Sequence, residues 1–386
     1  MSKSVYVFVH GMFGWGENEK INNKAPYWGG TSGNIVNYLR NKGYEAYAAS
    51  VGPISGAWYQ ACELYAQLTG TRVDYGEHHS AVFGQRRFGR TYDKPLFEGW
   101  SEEKRVHLIG HSFGGMTIRM LTHLLTHGAP EEVAASGEEN VSPLFLGGKQ
   151  NLVISVTTIC SPLNCSGAYD AAKKLGLISS IKNFSLLYVG ALGRGPLNGR
   201  GVDFHLERIG MTDTPGQKDK VKFIDAFKAA KKDTDSIDNN MTPQGTEKLN
   251  NYIKICDDVY YVSYQFNAVK KKGINLPVKT RFPLMFATSA LMIASGAILK
   301  DERRKYNDGL VDVEAAEYPA GEPFVRSDKN TPLQKGKWNV MPALVGDHGT
   351  AIGLFANKKE TMDFYTELVG MLDRTEREEK RAAKTT

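Results

Sequence analysis

Apolar residues along this chain fall into short, nearly continuous runs, separated by stretches in which they recur every three or four positions. Val5-Tyr6-Val7-Phe8-Val9 has no polar interruption, the pattern of a parallel strand covered on both faces. Tyr44 to Ala49, Arg105 to Ile109, Leu152 to Ile159 and Val259 to Tyr264 read as further strands. Ile35 to Lys42, stopped by Gly43, and Trp58 to Leu68 carry helical spacing. Thr242-Pro243 opens a helix to about Lys254, with Thr as N-cap and Pro at the first helical position. Strands alternating with helices predict an α/β chain with a doubly wound, mostly parallel sheet, whose carboxyl edge is where ligands bind. No internal repeat or long low-complexity linker interrupts it, and the charged stretch after Leu372 reads as a solvated tail.

Gly110-His111-Ser112-Phe113-Gly114 sits between a predicted strand and a helical pattern running on through Met116, Ile118 and Leu121. A serine in this strand, sharp turn and helix context is a nucleophile elbow. Such a serine needs a base and an acid to orient it, in the chain order Ser, Asp, His. Asn307-Asp308-Gly309 supplies a carboxylate in a turn, and Gly346-Asp347-His348-Gly349 an imidazole in a Gly-flanked loop before the last helix. Asp312 is the rival acid, but it follows Leu310-Val311 and reads as a strand interior. His107 falls inside the strand, His111 at a flank whose side chain need not face the site, and His123 and His127 on the following helix; His78 and His79 precede Ser112. Two backbone N–H donors for an oxyanion are expected from Phe113, after the nucleophile, and from Met12, in the Gly-rich loop His10-Gly11-Met12-Phe13-Gly14 that follows the first strand.

Tyr27-Trp28-Gly29-Gly30, Cys62 to Leu68, Val73-Asp74-Tyr75-Gly76, Arg87 to Tyr92, Val156 to Ile159 and Asn307-Asp308-Gly309 together resemble the secreted true lipases of the Bacillus-Staphylococcus branch, from about Val5 to the C-terminal helix. The resemblance implies an α/β-hydrolase fold with a helical lid and a small extra-core insertion. It also implies hydrolysis of acylglycerols by Ser112, Asp308 and His348, with Met12 and Phe113 as the oxyanion hole. The elbow departs in having Gly110 where that branch usually has Ala, and Phe113 where it usually has Gln. The lipases carry a structural zinc held by two Asp and two His, and here only His79 and Asp235 match: Tyr59 and Gln85 stand at the other two positions. Two ligands are too few for tetrahedral zinc unless His78 or Asp233 is recruited. The family's calcium carboxylates are likewise replaced, by Thr350 and by Phe355-Ala356. The expectation is a protein without zinc, calcium or other cofactor, in which Tyr59 fills the vacated space with its hydroxyl hydrogen-bonded nearby.

At 386 residues the chain fits one catalytic domain, 1–375, with an extra-core insertion at 53–95, a lid region at 163–210 and a charged tail at 376–386. The lid expectation rests on the apolar amphipathic stretch from Ala171 through Val189 and the glycines to Gly201; a cap that never moves is the alternative. A net charge of +6, with basic clusters at Lys231-Lys232, Lys270-Lys271-Lys272 and Arg303-Arg304-Lys305 among acidic residues, gives no nucleic-acid signature. Cys62, Cys160, Cys165 and Cys256 show no metal or disulfide spacing and read as free thiols. Phe282 to Leu299 is the one stretch that invites a transmembrane reading, but Pro283, Ser289, Ser295 and Gly296 interrupt it inside the catalytic domain, so it reads as buried and lining an acyl pocket. The first strand begins too early to leave room for a signal peptide, so the chain as written reads as cytoplasmic, or as secreted if it is a mature form. The substrate expected is a lipid ester at an oil–water interface. A carboxylesterase for soluble short-chain esters and a non-catalytic lipid-binding protein are the alternatives, and acyl transfer to alcohols is a further outcome of the same acyl-enzyme.

Overall fold

The computed structural model describes residues 4–174, 176, 202–210, 235–272, 274–281 and 283–385. Seven strands form its central sheet: β1 (Val5–Val9), β2 (Glu45–Ala49), β3 (Val106–His111), β4 (Val153–Ile159), β5 (Tyr260–Tyr264), β6 (Phe324–Arg326) and β7 (Trp338–Val340). Their order across the sheet is β6-β7-β5-β4-β3-β1-β2, and every adjacent pair is parallel. The five strands expected from sequence are present within a residue or two; β6 and β7 were not expected.

The apolar run of β1 follows from its double cover. Val5, Val7 and Val9 pack into one core with helices Ala57–Thr69 and Gly114–His127, whereas Tyr6 and Phe8 pack into a second with helices Ile35–Asn41 and Lys358–Thr385. Alternate side chains of a strand point to opposite faces, so a strand with helices on both sides has no face to leave polar. Helix Pro243–Tyr252 begins as expected, with the Thr242 hydroxyl accepting from the Gly245 N–H at 3.0 Å. The extra-core stretch folds as helix Ala57–Thr69, an antiparallel hairpin of Arg72–Asp74 and Phe88–Thr91, and helix Glu77–Phe83.

Two expectations are corrected here. The chain after Leu372 is not a loose tail but the continuation of helix Lys358–Thr385. The carboxylate of Glu376 is buried against the fold, hydrogen-bonded to Ser4 and 3.8 Å from His107 Nε2, while Lys380 on the next turn pairs with its outer oxygen. Phe282 to Leu299 yields helix Pro283–Leu299, and this helix is only half buried: Met285, Ser289, Met292 and Ser295 face inward, while Leu284, Phe286 and Ile298 are exposed. No helix among the described residues is long and apolar enough to cross a membrane. Most of the expected lid, and Lys231-Lys232, lie outside the described residues. Of the described part, Gly167–Lys174 is a helix with Ala168, Tyr169 and Ala171 buried.

Candidate active site

β3 ends at His111, and the next residue, Ser112, has φ 54°, a left-handed conformation that a serine adopts only when its surroundings enforce it. The enforcement is steric. A Cβ at Gly110 would come 2.5 Å from Gly114, and one at Gly114 would come 2.3 Å from the Val9 carbonyl, so strand, turn and helix Gly114–His127 close here more tightly than a side chain at either flank would allow without a shift. This strained turn at the carboxyl edge of the sheet presents the serine as a nucleophile elbow does.

The loop after β1 lies directly against it. A Cβ added to Gly11 would stand 2.6 Å from Ser112 Cβ. His10, fully buried, fixes this loop: its Nδ1 lies 2.9 Å from the Gly11 carbonyl, and its Nε2 accepts from the Val51 N–H at 3.2 Å. Both contacts suit one neutral tautomer, and burial lowers the His10 pKa to about 4, so the ring stays neutral. The N–H groups of Met12 and Phe113 have no backbone acceptor among the described residues, which leaves both open beside Ser112.

The carboxylate and imidazole are brought together from two loops. Asp308 Oδ2 accepts from His348 Nδ1 at 2.7 Å, and the His348 N–H reaches the Asp308 carbonyl at 2.8 Å. The other carboxylate oxygen accepts from Leu310 and Val311 N–H at 2.9 and 2.8 Å, so a tight turn holds the Asp308 carboxylate in one orientation. Both side chains are nearly buried. With Nδ1 donating to Asp308, the His348 Nε2 is the basic nitrogen. Asp312 is not in a strand interior: it forms an isolated bridge with Asn307 across the same turn. Its carboxylate lies against Gly167, where a Cβ would come 2.2 Å from Oδ2, and burial pushes its pKa up to about 7 despite nearby Arg304.

His111 departs from the sequence reading. Its ring lies against that of His348, centroids 4.6 Å apart, with Nε2 3.1 Å from the His348 carbonyl and Nδ1 2.7 Å from the Tyr27 hydroxyl. A histidine flanking an elbow serine gives no local signal of such a contact; only the position of the distant His348 loop creates it. The helix Pro283–Leu299 also meets the site through Met285, which packs on Gly309 next to the catalytic-acid candidate, and in the segment before it Arg281 N–H donates to Asp347 beside His348.

At the zinc and calcium positions the resemblance implies, the described residues do not make up a full donor set; Asp233 lies outside them. His79 Nε2 lies 3.0 Å from Asp235 Oδ2, with Trp58 stacked on the imidazole at 4.5 Å and the Tyr59 ring edge-on at 5.0 Å. A phenol and the amide of Gln85 stand where tetrahedral zinc needs two more His, Cys or carboxylate donors. At the calcium position the Thr350 hydroxyl is spent on the Asp347 carboxylate at 2.8 Å, and the exposed Phe355 has no carboxylate to offer. His111, Cys160 and His348 do bring potential donor atoms within 4.8 Å of one another. Both His111 nitrogens are already engaged, however, by the Tyr27 hydroxyl and the His348 carbonyl, and His348 Nδ1 by Asp308.

This sheet order and this set of residues at its carboxyl edge define an α/β-hydrolase. A family model described as "Lipase-like, C-terminal domain" matches residues 2–384. Lipase 2 of Staphylococcus aureus is 34% identical over 400 aligned residues, covering 99% of this chain and 55% of that protein. The lipase of Staphylococcus hyicus is 35% identical over 391, covering 98% and 59%. Among solved structures, Staphylococcus hyicus lipase superposes with a TM-score of 0.82 at 31% identity, covering 98% of this chain and 97% of that one. EstA from Clostridium botulinum gives 0.81 at 32%, covering 96% and 87%. The chain belongs to the staphylococcal lipase family, and it spans between half and three fifths of the length of these curated relatives.

Proposed function

We propose that the protein hydrolyses carboxylic esters of lipids, triacylglycerols among them, through an acyl-enzyme on Ser112. The observation that carries this reading is the 2.7 Å bond from His348 to Asp308, with the His348 ring 4.6 Å from that of His111, the residue before a serine held at positive φ. His348 Nε2 takes the Ser112 proton as Oγ attacks the ester carbonyl, and Asp308 stabilises the imidazolium that forms. Met12 and Phe113 N–H groups receive the oxyanion. The imidazolium then protonates the departing alcohol, and water, activated by the same base, releases the fatty acid. No metal or cofactor takes part in these steps.

Lipid substrates, rather than soluble short-chain esters, are favoured by helix Pro283–Leu299. It has no charged residue over 17 positions, exposes Leu284, Phe286 and Ile298, and begins against the Asp308 loop. An acyl chain leaving Ser112 therefore has apolar surface close by. The relatives named as lipases support the same reading. The deciding experiment is a chain-length series of triglycerides and p-nitrophenyl esters, with a fluorophosphonate probe of the active serine, on wild type and Ser112→Ala. Hydrolysis that rises when substrate passes its solubility limit supports the lipase. Activity confined to dissolved short esters identifies a carboxylesterase, and a serine that never labels identifies a binding protein.

A further inference from the structure

The geometry points to His111 and Tyr27 as positioning residues that tie the loop bearing the Met12 N–H to the loop bearing His348, so that oxyanion donor and base keep a fixed separation. This inference rests on the ester-hydrolase reading given above. The link is a single file of hydrogen bonds. Gly11 N–H donates to the Tyr27 hydroxyl at 3.0 Å, that hydroxyl lies 2.7 Å from His111 Nδ1, and His111 Nε2 lies 3.1 Å from the His348 carbonyl. Only one arrangement of protons satisfies all three. The carbonyl can only accept, so Nε2 carries the imidazole hydrogen; Nδ1 then accepts from the Tyr27 O–H, whose oxygen accepts from Gly11.

That arrangement requires a neutral His111, and its surroundings provide for it. The ring is buried between Tyr27, Trp28 and His348, with no carboxylate bonded to it. Burial first, and the neighbouring His348 second, hold its pKa well below the ordinary histidine value. A charged His111 would oppose the imidazolium that His348 becomes during turnover. Neutral, it joins backbone groups of the β1 loop and the C-terminal loop that no secondary-structure ladder connects. Small displacements between reacting groups are costly, since a shift of about 1 Å can lower turnover about a hundredfold.

The test compares Tyr27→Phe, His111→Ala, His111→Gln and the Tyr27→Phe/His111→Ala double variant with wild type. Steady-state hydrolysis, the rate of Ser112 labelling by a fluorophosphonate and the thermal midpoint are measured for each. Tyr27→Phe removes one oxygen and is expected to fold; it should lower kcat about tenfold with KM within about twofold. His111→Ala should cost at least as much, and His111→Gln, which keeps a donor for the His348 carbonyl, should recover most of it. The double variant should be no worse than the poorer single by more than about twofold, because the links act in series. Labelling rates should fall in parallel with kcat. Folded Tyr27→Phe with unchanged kcat and labelling, multiplying effects in the double variant, or a glutamine no better than alanine would each overturn the inference. A wild type that labels readily but cleaves no ester would instead overturn the ester-hydrolase reading, while the labelling rates still decide the role of His111.

Discussion

Gly11 faces Ser112 with no room for a side chain between them: a Cβ on Gly11 would lie 2.6 Å from Ser112 Cβ, 3.0 Å from the His111 carbonyl and 3.1 Å from the Tyr27 hydroxyl. Contacts this short displace backbone, and the backbone displaced carries the Met12 N–H. Gly11→Ala should therefore lower kcat by roughly 10²-fold, the scale of losing one oxyanion donor. KM should change little, because the ground-state ester is not held there. A variant retaining more than a third of wild-type kcat would show that Met12 is not a donor.

Two carboxylates share the turn Asn307 to Asp312, and their contacts differ. Asp308 is bonded to His348 and to two backbone N–H groups, whereas Asp312 is buried with one oxygen unpartnered and a pKa pushed up to about 7. Asp308→Asn should cost roughly three decades of kcat or more, since the amide favours the wrong imidazole tautomer. Asp312→Asn should stay within about tenfold of wild type. The reverse ranking would transfer the acid role to Asp312.

Why so much of the site was legible, and His111 was not, follows from the range of the interactions. Ser112, Asp308 and His348 each sit in a local signature of glycine and turn residues, and their chain order is fixed by the fold. The contact of His111 with His348 exists only because two distant loops meet at the sheet edge. β6 and β7 escaped for a related reason. Three residues carry no period, and Phe324–Arg326 becomes a strand only by pairing with Trp338–Val340. The last helix was misjudged because the residues after Leu372 are mostly charged; Glu376 is drawn inward by His107 on β3, which nothing nearby announces.

His205 and Glu63 form a buried ion pair at 3.0 Å, joining segment 202–210 to helix Ala57–Thr69. Burial opposes a charge on His205, but Glu63 and then Asp203 outweigh it, and against the repulsion of Arg90 its pKa is lifted to about 9. The unfolded value is about 6.5. A raised folded pKa means the stabilisation is complete below about pH 6.5 and is lost as pH rises through about 9, on the order of 3 kcal/mol in all. Burial also works against the Glu63 charge, yet His205 and the Gly52 N–H hold its pKa below the ordinary value, so the pair weakens only in acid on the other side. The thermal midpoint of wild type should fall between about pH 6.5 and 9, while His205→Gln starts lower and stays flatter. Parallel curves for the two proteins would place the pH dependence elsewhere.

The stacked group at His79 makes the sharpest contrast with a metal site. Zinc needs four donors converging on one point, yet the imidazole here is covered by Trp58 on its face and by Tyr59 and Phe83 at about 5 Å or less, and among the described residues only Asp235 meets its Nε2. Tyr59 is fully buried, with the Arg208 guanidinium 4.7 Å from its ring centroid. Aromatic packing thus surrounds the residue that stands where the resemblance implies a carboxylate ligand. Extensive dialysis against EDTA should leave both the thermal midpoint and ester hydrolysis unchanged, and elemental analysis should find well under one zinc per chain. Tyr59→Asp should do the opposite of restoring the fold: it leaves a buried carboxylate beside Asp235 and lowers the midpoint, and added zinc should recover little of it because Gln85 supplies no nitrogen ligand. A large loss of stability on chelation of the wild type would show that other donors complete a site around His79.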